Sequence, residues 1–466
     1  HLLRQAAPHT PSLGPLVTTL MLWEQLLSDR RLGASASSRP ASRSIARSDF
    51  ERDYDRLVFS PPFRRLQNKT QVFPLPGKVF VHNRLTHSLE VSCLGRSLGS
   101  LVGDCLAERH PEAREVPLRS GLSAIVSAAS LAHDMGNPPF GHSGERAISA
   151  YFTEGAGRRL EDQVRAEGGR WEDFVHFEGN ANTFRLLTHQ FRGRREGGFA
   201  LTYSTLASTV KYPYSSEQAG TKGKFGFFQS EEETMREVAG TLGLIQRSTA
   251  PLSYVRHPLV FLVEAADDIC YQIMDIEDAS KLHLLPYSEA TSLLEAFFTE
   301  EELRDVHAVC RTIGDDNERL GYLRSKVINL LVEECAAAFL DCEGELLAGT
   351  LTQPLIQLTS PHTCRAYEAC SEVARARIYR AREVVDVELA GHRIFSALLD
   401  ELIKAMEQPD HLYSRTLLSR VSSQYDTAQT TLYGKVQCAL DYISGMTDLY
   451  ALDLYRRLTG MNLPAV

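Results

Sequence analysis

Two histidines and two aspartates in distant parts of the chain have the chemical character of one metal site. They are His87 in NRLTHSLEV, the adjacent pair His133 and Asp134 in LAHDMGNPPFGH, and Asp267 in VEAADDICYQIMD. Two imidazoles and two carboxylates form a ligand set of intermediate hardness, which suits Mn²⁺, Fe²⁺, Mg²⁺ or Zn²⁺. Such a cation converts bound water into a nucleophile at neutral pH. These residues therefore predict metal-assisted hydrolysis.

A carboxylate, an aromatic hydroxyl and a second carboxylate follow one another at helical spacing. Asp267, Tyr271 and Asp275 are four residues apart, so on a helix they form one stripe with about 6 Å between successive positions. The metal carboxylate, an aromatic hydroxyl and a second carboxylate would therefore face one cavity. A solvated acidic face explains the remaining acids of this segment more simply.

The segment that follows the second histidine combines a helix end with a further acid–base pair. Adjacent helical residues point about 100° apart, so His133 and Asp134 reach one metal only where the helix ends. The following Met-Gly-Asn-Pro-Pro supplies that end, and His142 and Glu145 then lie three residues apart. A carboxylate one turn away orients an imidazole and raises its pKa. This pair is predicted to transfer protons.

Several sequence blocks, in chain order, carry a family resemblance. They are RRLQNKTQVFPL (65–76), RLTHSLEV (84–91), HDMGNPPFGHSGE (133–145), HFEGNAN (176–182), EAADDICYQIMDIEDA (264–279) and DYISGMTDLYALDLYRRL (441–458). Together they resemble the deoxyguanosinetriphosphate triphosphohydrolases, a branch of the HD superfamily of metal-dependent phosphohydrolases. The resemblance extends from near residue 22 to near residue 460 and is weaker over 146–175 and 280–430.

The resemblance implies roles for the polar residues of these blocks. The metal ligands would be His87, His133, Asp134 and Asp267, and the catalytic pair would be His142 and Glu145. The phosphate-binding residues would be Arg84, Asn180, Lys211 and Tyr212, and the sugar 3′-hydroxyl would contact Tyr271 and Asp275. Residues near the base or behind the ligands would be Gln67, His176 and Glu178.

Two observations support or qualify these roles. Arg84 lies three residues before His87, so one helical turn brings its guanidinium toward the same cavity. A triphosphate requires such fixed cations and donors. The chain departs from the family pattern at Asn182, where the motif ends in Gln. Asn137 occupies a place where more distant HD triphosphohydrolases have another His, which leaves more of the proton transfer to His142.

Apolar residues recur at spacings of three and four along most of the chain after residue 48, as in 260–285 and 301–340. Alternating strand patterns are scarce. We therefore predict an all-α, HD-domain helical fold with additional C-terminal helices. The Gly- and Pro-containing stretch KYPYSSEQAGTKGKFGFF (211–228) predicts a short β-hairpin or a loop beside the site.

The chain divides into four segments on this pattern. Residues 1–20 precede the first methionine, Met21, and are set aside as an upstream segment. Residues 21–48 are predicted to form an N-terminal arm, residues 49–285 the catalytic HD core, and residues 286–466 a helical C-terminal region packed on that core.

Composition excludes several classes of function. Lys plus Arg is 50 and Asp plus Glu is 59, so the net charge of −9 argues against bulk attraction to nucleic acid or anionic membranes. Nine cysteines without a CxxC pair indicate reduced thiols rather than a disulfide framework. The longest small-residue apolar run (121–132) is too short to cross a bilayer. We predict a cytoplasmic enzyme without membrane contact.

The resemblance implies hydrolysis of dGTP to deoxyguanosine and triphosphate, by water attack on the α-phosphorus. It also implies Mn²⁺ or Mg²⁺, with Fe²⁺, Co²⁺ or Zn²⁺ as alternatives, and a homohexamer. Three alternatives stay open: another phosphorylated nucleotide as the substrate of the same site, a broad-specificity or dNTP-activated enzyme, and a nucleotide-regulated assembly that binds single-stranded DNA. No single motif encodes the choice of base.

Overall fold

The computed structural model of the chain describes residues 19–34, 47–71, 82–113, 115–380 and 382–461. Helix makes up 67% of the structure. Within the described ranges, the only strands form one two-stranded sheet. The predicted all-α, HD-type fold with a short hairpin is confirmed.

The elements follow one another with short connections. The helices as far as the third metal-ligand segment are α1 (Trp23–Leu26), α2 (Asp49–Val58), α3 (Pro61–Arg65), α4 (Arg84–Arg109), α5 (Leu118–Ala132), α6 (Gly141–Thr153), α7 (Glu161–Ala166), α8 (Glu172–Val175), α9 (Gly179–Thr188), α10 (Tyr203–Ser208), α11 (Glu232–Leu242) and α12 (Val260–Lys281). The later helices are α13 (Tyr287–Glu295), α14 (Glu300–Cys310), α15 (Asp316–Asp341), α16 (Glu343–Ala348), α17 (Pro361–Val373), α18 (Arg382–Glu407), α19 (Leu412–Leu418), α20 (Leu432–Ser444) and α21 (Asp448–Leu458). The strands are β1 (Gln246–Thr249) and β2 (Leu252–Tyr254), and a π-helical turn (Ala374–Ile378) follows α17.

Helices α4 and α5 cross closely at the centre of the molecule. A Cβ added to Gly99 of α4 would lie 2.8 Å from the Ser123 Cα, and one added to Gly103 would lie 2.5 Å from the Leu118 carbonyl oxygen. Only glycine permits this approach of two backbones. The crossing is antiparallel, so the start of α4 lies beside the end of α5. These two ends carry the predicted histidine ligands.

Helix α12 brings the third ligand segment into the same region. It packs on α4, α5 and α15, and 18 of its 22 residues are buried. The long helix predicted within residues 260–285 is therefore confirmed. Because burial on nearly every face fixes its rotation, the side chain of Asp267 has one direction available, toward the ends of α4 and α5.

The hydrophobic residues form two clusters that each cross the predicted boundary at residue 285. One cluster runs from Met21 to Ile378 and includes α4, α5, α12 and α15. The other runs from Ala147 to Leu454 and joins α6 and α8 to α18, α20 and α21. The C-terminal helices thus complete the core around the catalytic segments. The division into four segments stays a prediction.

The small sheet does not lie in the segment where a hairpin was predicted. Strands β1 and β2 pair antiparallel over 246–254, whereas residues 211–228 form bends and 3-10 turns. Single bridges still connect this stretch to the sheet and to itself, Tyr214 with Ser253 and Ser215 with Phe227. The loop alternative is therefore confirmed, because the glycines favour tight turns over a continuous ladder.

The N-terminal arm is tied to the core where it is described. Trp23 and Leu26 are buried in the larger cluster, and Arg31 forms an ion pair with the buried Asp53 at 2.6 Å. Residues 1–18 and 35–46 lie outside the described residues, so the predictions made for them are not addressed. None of the described helices is long and apolar enough to cross a membrane.

Candidate active site

Three predicted ligands meet at one point. The Oδ1 atom of Asp267 lies 3.0 Å from His87 Nε2 and 3.4 Å from His133 Nε2, and one ligand atom from each residue lies within 4.8 Å of the others. His133 Nδ1 contacts the Ser130 carbonyl oxygen at 2.6 Å. Donation of an Nδ1 proton to that carbonyl leaves the Nε2 lone pair free for a metal.

The fourth predicted ligand lies at the edge of this cluster. Asp134 Oδ1 is 3.6 Å from His133 Nε2, and it also accepts a hydrogen bond from Asn137 Nδ2 at 2.6 Å. Arg84 Nη1 donates to the other carboxylate oxygen at 2.7 Å. Asp134 is therefore adjacent to the cluster and is oriented by two donors. Asn137 acts here as a hydrogen-bond partner of a ligand.

The charges of the cluster suit a cation. Burial would raise the pKa of Asp267, but His133 and His87 hold that pKa well below its usual value. Burial would also raise the pKa of Asp134, and Arg84 and His133 lower it. For His133, burial lowers the pKa, yet the two carboxylates raise it to about 9. Both carboxylates are thus ionised, and the field that attracts a proton to His133 attracts a metal ion equally.

The donor set fits a divalent metal ion on these observations. His133 Nε2 is buried without a hydrogen-bond partner, which is costly for a polar atom unless something binds there. Imidazole nitrogens and carboxylate oxygens together suit Mn²⁺, Fe²⁺, Co²⁺ or Zn²⁺, and the oxygens suit Mg²⁺.

The turn between His133 and His142 has an unusual backbone. Phe140 has a φ of 63° and Gly141 a φ of 57°, in the left-handed region that is unfavourable for most residues. A Cβ on Gly141 would lie 2.2 Å from Arg84 Nη2, so a side chain there would displace the guanidinium. The turn therefore lies directly against the Arg84 side chain that holds Asp134.

The C-terminal helices hold this turn in place. The carboxylate of Asp448, at the start of α21, accepts hydrogen bonds at 2.9 Å from the backbone NH groups of Thr70 and Phe140. Lys69 Nζ, which is buried, donates to the carbonyl oxygens of Asn137 at 2.7 Å and Ser444 at 2.8 Å. Burial is the main reason that the pKa of Lys69 falls to about 7. The sequence block at 441–458 thus acts on the site by supporting its backbone.

His142 and Glu145 form the predicted pair on the first turn of α6. His142 Nδ1 lies 2.6 Å from Glu145 Oε2, and the charge and hydrogen bond of Glu145 raise the pKa of His142. Burial alone would raise the pKa of Glu145, but His142 and Lys224 lower it to about 2. The His142 side chain is 63% exposed. The ring can therefore hold a proton near neutral pH and exchange it with solvent.

Gly179, the glycine of the HFEGNAN motif, lies where a larger residue would not fit. A Cβ at this position would lie 1.9 Å from Asn137 Oδ1 and 2.7 Å from Glu145 Oε1. The Gly179 NH donates to Glu145 Oε1 at 2.6 Å. The N-terminus of α9 thus holds the carboxylate of the predicted catalytic pair, an interaction that helix dipoles favour.

A cavity of about 300 Å³ opens beside these groups. Its lining contains the three ligands of the cluster, Asp134 and the His142–Glu145 pair. The predicted phosphate- and sugar-binding residues that also line it are Arg84, Asn180, Lys211, Tyr212 and Tyr271. The structure therefore brings most of the predicted site residues to one cavity.

Lys224 lines the cavity and was not predicted from the sequence. Its Nζ lies 2.7 Å from Oε1 of the buried Glu178, whose carboxylate also accepts from the backbone NH of Asn180 at 2.7 Å. Glu178 is therefore both the N-cap of α9 and the partner of a cavity cation. The sequence signal that could have indicated Lys224 was a lysine between two glycines, in a loop predicted to lie beside the site.

Lys211 has a carboxylate partner that was also not predicted. Glu264 lies 3.2 Å from Lys211 Nζ and 3.0 Å from Arg256 Nη1. Glu264 is three residues before Asp267 on α12, so the ligand helix also positions the phosphate-side lysine. The Tyr212 ring lies under both cations, with Lys211 Nζ 5.8 Å from its centroid.

The predicted sugar-binding stripe on α12 is only partly at the cavity. Tyr271 lines it, whereas Asp275 is buried behind it and accepts a hydrogen bond from Tyr379 at 2.6 Å. The rings of Tyr271 and Tyr379 stack with centroids 5.8 Å apart. Burial raises the pKa of Asp275 to about 8. Tyr379, from the turn after α17, belongs to this cluster and could not be placed from sequence spacing.

Two residues assigned to the surroundings of the nucleotide lie elsewhere. Gln67 is exposed on a 3-10 turn and is not among the described residues that line the cavity. Gln71, four residues later, does line it and has a buried Oε1 without a hydrogen-bond partner. His176 is half-buried under Gly223 rather than at the cavity surface, and burial lowers its pKa.

Comparisons with known proteins identify the family of the chain. Residues 358–457 match the model of a phosphohydrolase-associated domain. Relatives named deoxyguanosinetriphosphate triphosphohydrolase-like protein come from Pseudomonas aeruginosa and Synechocystis; each is 39% identical over 96% and 95% of this chain, respectively, and 100% of its own length. A deoxyguanosinetriphosphate triphosphohydrolase from Yersinia enterocolitica is 30% identical over 94% of this chain and 98% of its own.

The relatives match nearly the full length of the chain. The His–Asp cluster, the adjacent acid–base pair and the cations are those that metal-dependent phosphoester hydrolysis requires. The chain therefore belongs to the deoxyguanosinetriphosphate triphosphohydrolase family of HD-type phosphohydrolases and is a hydrolase of that type.

Proposed function

We propose that this protein hydrolyses deoxynucleoside triphosphates, with dGTP as the preferred substrate, to the deoxynucleoside and inorganic triphosphate. The observation that carries the proposal is the placement of a His87–His133–Asp267 cluster and several cations around one cavity. The names of the relatives support the choice of a purine deoxynucleotide. A metal-binding cluster without neighbouring Lys or Arg side chains would suit an uncharged substrate. Lys and Arg side chains without a metal-binding cluster would bind phosphate but not hydrolyse its esters.

The metal site would be formed by His87, His133 and Asp267, with Asp134 beside them. When bound, a divalent cation supplies Lewis-acid activation of water and of the phosphoryl oxygen. We propose Mn²⁺ or Mg²⁺ as that ion and keep Fe²⁺, Co²⁺ and Zn²⁺ as alternatives, because imidazole ligands also suit these ions. Arg84 would hold Asp134 and present its guanidinium to the α-phosphate.

His142 would complete the reaction as a general acid. Water attacks the α-phosphorus, the bond to the 5′-oxygen breaks, His142 gives its proton to that oxygen, and the proton of the attacking water passes to solvent as the triphosphate ionises. Glu145 keeps the imidazole protonated and correctly oriented. Exposure of the His142 ring allows it to recover a proton from solvent for the next turnover. The deoxynucleoside and the triphosphate then leave as separate products.

Lys211, Lys224, Tyr212 and Asn180 would bind the phosphate chain. Fixed cations and donors on one side of the cavity stabilise the negative charge that shifts toward the phosphates in the transition state. Lys224 joins the predicted set because it lines the same cavity.

Tyr271 would select the deoxyribose. Its ring is held by stacking on Tyr379, so a 2′-hydroxyl would meet a side chain that cannot move aside. Asp275 accepts a hydrogen bond from the Tyr379 hydroxyl. It would act on the sugar 3′-hydroxyl indirectly, through the stacked side chains of Tyr379 and Tyr271. A site built to hydrogen-bond a hydroxyl rejects analogues that lack it.

A homo-oligomer, by resemblance a hexamer, is the proposed assembly. The C-terminal helices expose apolar side chains: Leu412 and Tyr413 of α19 are 76% and 53% exposed, and Leu449 and Tyr450 of α21 are 45% and 43% exposed. Exposed apolar groups of this kind support association with further copies. Light scattering on the purified protein measures the assembly.

Rates for the four dNTPs and for GTP, each with Mn²⁺ and Mg²⁺, test the proposed substrate. We expect dGTP to give the highest kcat/KM. The same panel with a second dNTP or an oligonucleotide added distinguishes a dNTP-activated enzyme or a DNA-regulated assembly. Equal rates for all four dNTPs would contradict the dGTP preference and favour the broad-specificity alternative.

A further inference from the structure

A second cavity adjoins the catalytic cavity through a shared wall. Lys211, Tyr212 and Lys224 line both cavities. The second cavity measures about 520 Å³, and its other side is formed by the β1–β2 hairpin and the end of α16. We call it the basic cleft.

The basic cleft has an unusual charge balance for a protein whose net charge is −9. Among the described residues, its lining contains no Asp or Glu. The cations that line it are Lys211, Lys222, Lys224, Arg247 and Arg256. A cavity lined by one sign of charge concentrates ions of the other sign.

The cations are only partly neutralised by neighbouring acids. Lys224 forms an ion pair with Glu178, and Lys211 and Arg256 share one carboxylate, that of Glu264. Arg247 donates to the Gly349 carbonyl oxygen at 2.7 Å. Within the described part of the chain, neither Arg247 nor Lys222 forms an ion pair with a carboxylate. Positive charge is therefore left over at the far side of the cleft from the catalytic cavity.

Backbone pairing holds the wall in place. The Tyr254 NH of β2 donates to the Pro213 carbonyl oxygen at 2.8 Å, and the Ser215 NH donates to the Leu252 carbonyl oxygen at 3.1 Å. The Lys211–Tyr212 segment is thus attached to the hairpin that carries Arg247. The backbone of the cleft is therefore fixed by the fold, and the exposed side chains of Lys222 and Arg247 extend from it.

We propose that the basic cleft is a second anion-binding site, which takes inorganic triphosphate as it leaves the catalytic cavity. This inference rests on the proposed function for the source of the triphosphate. A polyphosphate carries several negative charges along its length, and a series of cations that begins at Lys211 and Lys224 and ends at Lys222 and Arg247 offers it successive partners. The uncharged deoxynucleoside has no such attraction and would leave by the open side of the catalytic cavity.

Direct binding of sodium tripolyphosphate, measured by calorimetry without any nucleotide and at fixed ionic strength, tests the site. The test variant is Lys222→Gln with Arg247→Gln, because neither residue lines the catalytic cavity. We expect its affinity for tripolyphosphate to fall about tenfold or more. A matched control, Lys326→Gln with Arg420→Gln, removes the same charge from exposed positions outside the cleft and should bind like the parent protein.

Kinetics with a dNTP give the second readout. The test variant should keep the parent's initial rate, while inhibition by added tripolyphosphate should weaken by a similar factor. Unchanged tripolyphosphate affinity in the test variant, or an equal loss in the control, would overturn the inference. Release of pyrophosphate or orthophosphate by the parent would instead refute the proposed function. That result would leave the binding result intact, because tripolyphosphate binding is measured without turnover.

Discussion

The two sides of the catalytic cavity are built differently. The proposed metal side consists of side chains at the ends or on the buried face of the long helices α4, α5 and α12, and glycines in α4 allow α4 and α5 to cross closely. The proposed phosphate side takes Lys211, Tyr212 and Lys224 from the connection between α10 and α11 and Asn180 from the first turn of α9. Helices fix the metal side through the hydrophobic core, whereas ion pairs and a few backbone bridges fix the phosphate side.

This difference indicates that the two sides of the cavity require different positional precision. Coordination of a metal tolerates only small errors in ligand position, so rigid helices suit it. Cations that hold a flexible phosphate chain act over longer distances and tolerate loop positions. Substitutions on the metal side should therefore abolish chemistry, and those on the phosphate side should weaken substrate binding by smaller factors.

The largest effect is expected at Asp267. Asp267→Ala removes a ligand from the cluster, so bound metal and turnover should fall together, the latter by about 10³-fold or more. Metal analysis beside steady-state kinetics measures both. The matched control is Asp268→Asn on the same helix: burial raises the pKa of Asp268 to about 8, so a neutral amide resembles the natural group at pH 7. Full activity of a metal-free Asp267→Ala protein would contradict the site.

His142→Ala should keep metal and nucleotide binding but reduce kcat by about 10²-fold, as expected for loss of a proton-transfer group. The pH profile gives a sharper test. Glu145 raises the pKa of His142, and a general acid must hold its proton, so activity should fall as the pH rises through that raised pKa. In Glu145→Gln the fall should move to lower pH. An unchanged alkaline limb would remove His142 from the proposed role.

Tyr271 should control sugar selectivity. Tyr271→Ala should raise kcat/KM for GTP relative to dGTP by about tenfold, because the ring that blocks a 2′-hydroxyl is gone. Tyr271→Phe keeps the ring and should keep the discrimination. Competition between the two nucleotides in one reaction measures the ratio. If the parent itself hydrolyses GTP and dGTP equally, the steric gate does not exist.

Lys224 tests the phosphate side. Lys224→Gln should raise KM for the substrate severalfold with a smaller change in kcat, since a cation on a loop contributes mainly to binding. Lys222→Gln, two residues earlier and outside the catalytic cavity, should leave KM for the substrate unchanged. Loss of bound metal in Lys224→Gln would mean that the two sides of the cavity are not independent.

The smallest effect on turnover is expected from the helix crossing that carries the metal side. Gly99→Ala should lower the free energy of unfolding by about 1–3 kcal/mol, because the added methyl group overpacks α4 against α5. Gly240→Ala in α11, where an added Cβ meets nothing within 4 Å, should be neutral or stabilising. Thermal unfolding of both variants measures the difference. Equal stabilities would contradict the close crossing.

The sequence predicted the metal side because its constraints are local and chemical. Histidine and aspartate in HD-type motifs have few other reasons to occur together, and helical periodicity gave the direction of Asp267. His142 and Glu145 were predicted for the same reason, since a spacing of three residues on a helix determines their contact. The role of each of these motifs could therefore be predicted before its position in the fold was known.

Other parts depend on tertiary contacts that spacing does not encode. Tyr379 stacks on Tyr271 from more than 100 residues later in the chain, and Glu264 pairs with two cations from separate segments. Residues 211–228 were predicted to form a hairpin or a loop and form a loop, whereas the hairpin lies at 246–254, because pairing partners decide which turn-rich segment becomes a strand. Asp275 has the predicted helical phase but is covered by Tyr379, which periodicity cannot foresee.

Hydrolysis of dGTP in ¹⁸O-labelled water tests the central claim most directly. If water attacks the α-phosphorus and His142 protonates the departing 5′-oxygen, mass spectrometry should find one ¹⁸O atom in inorganic triphosphate and none in deoxyguanosine. Label in orthophosphate or pyrophosphate, or formation of dGMP or dGDP, would contradict the proposed reaction.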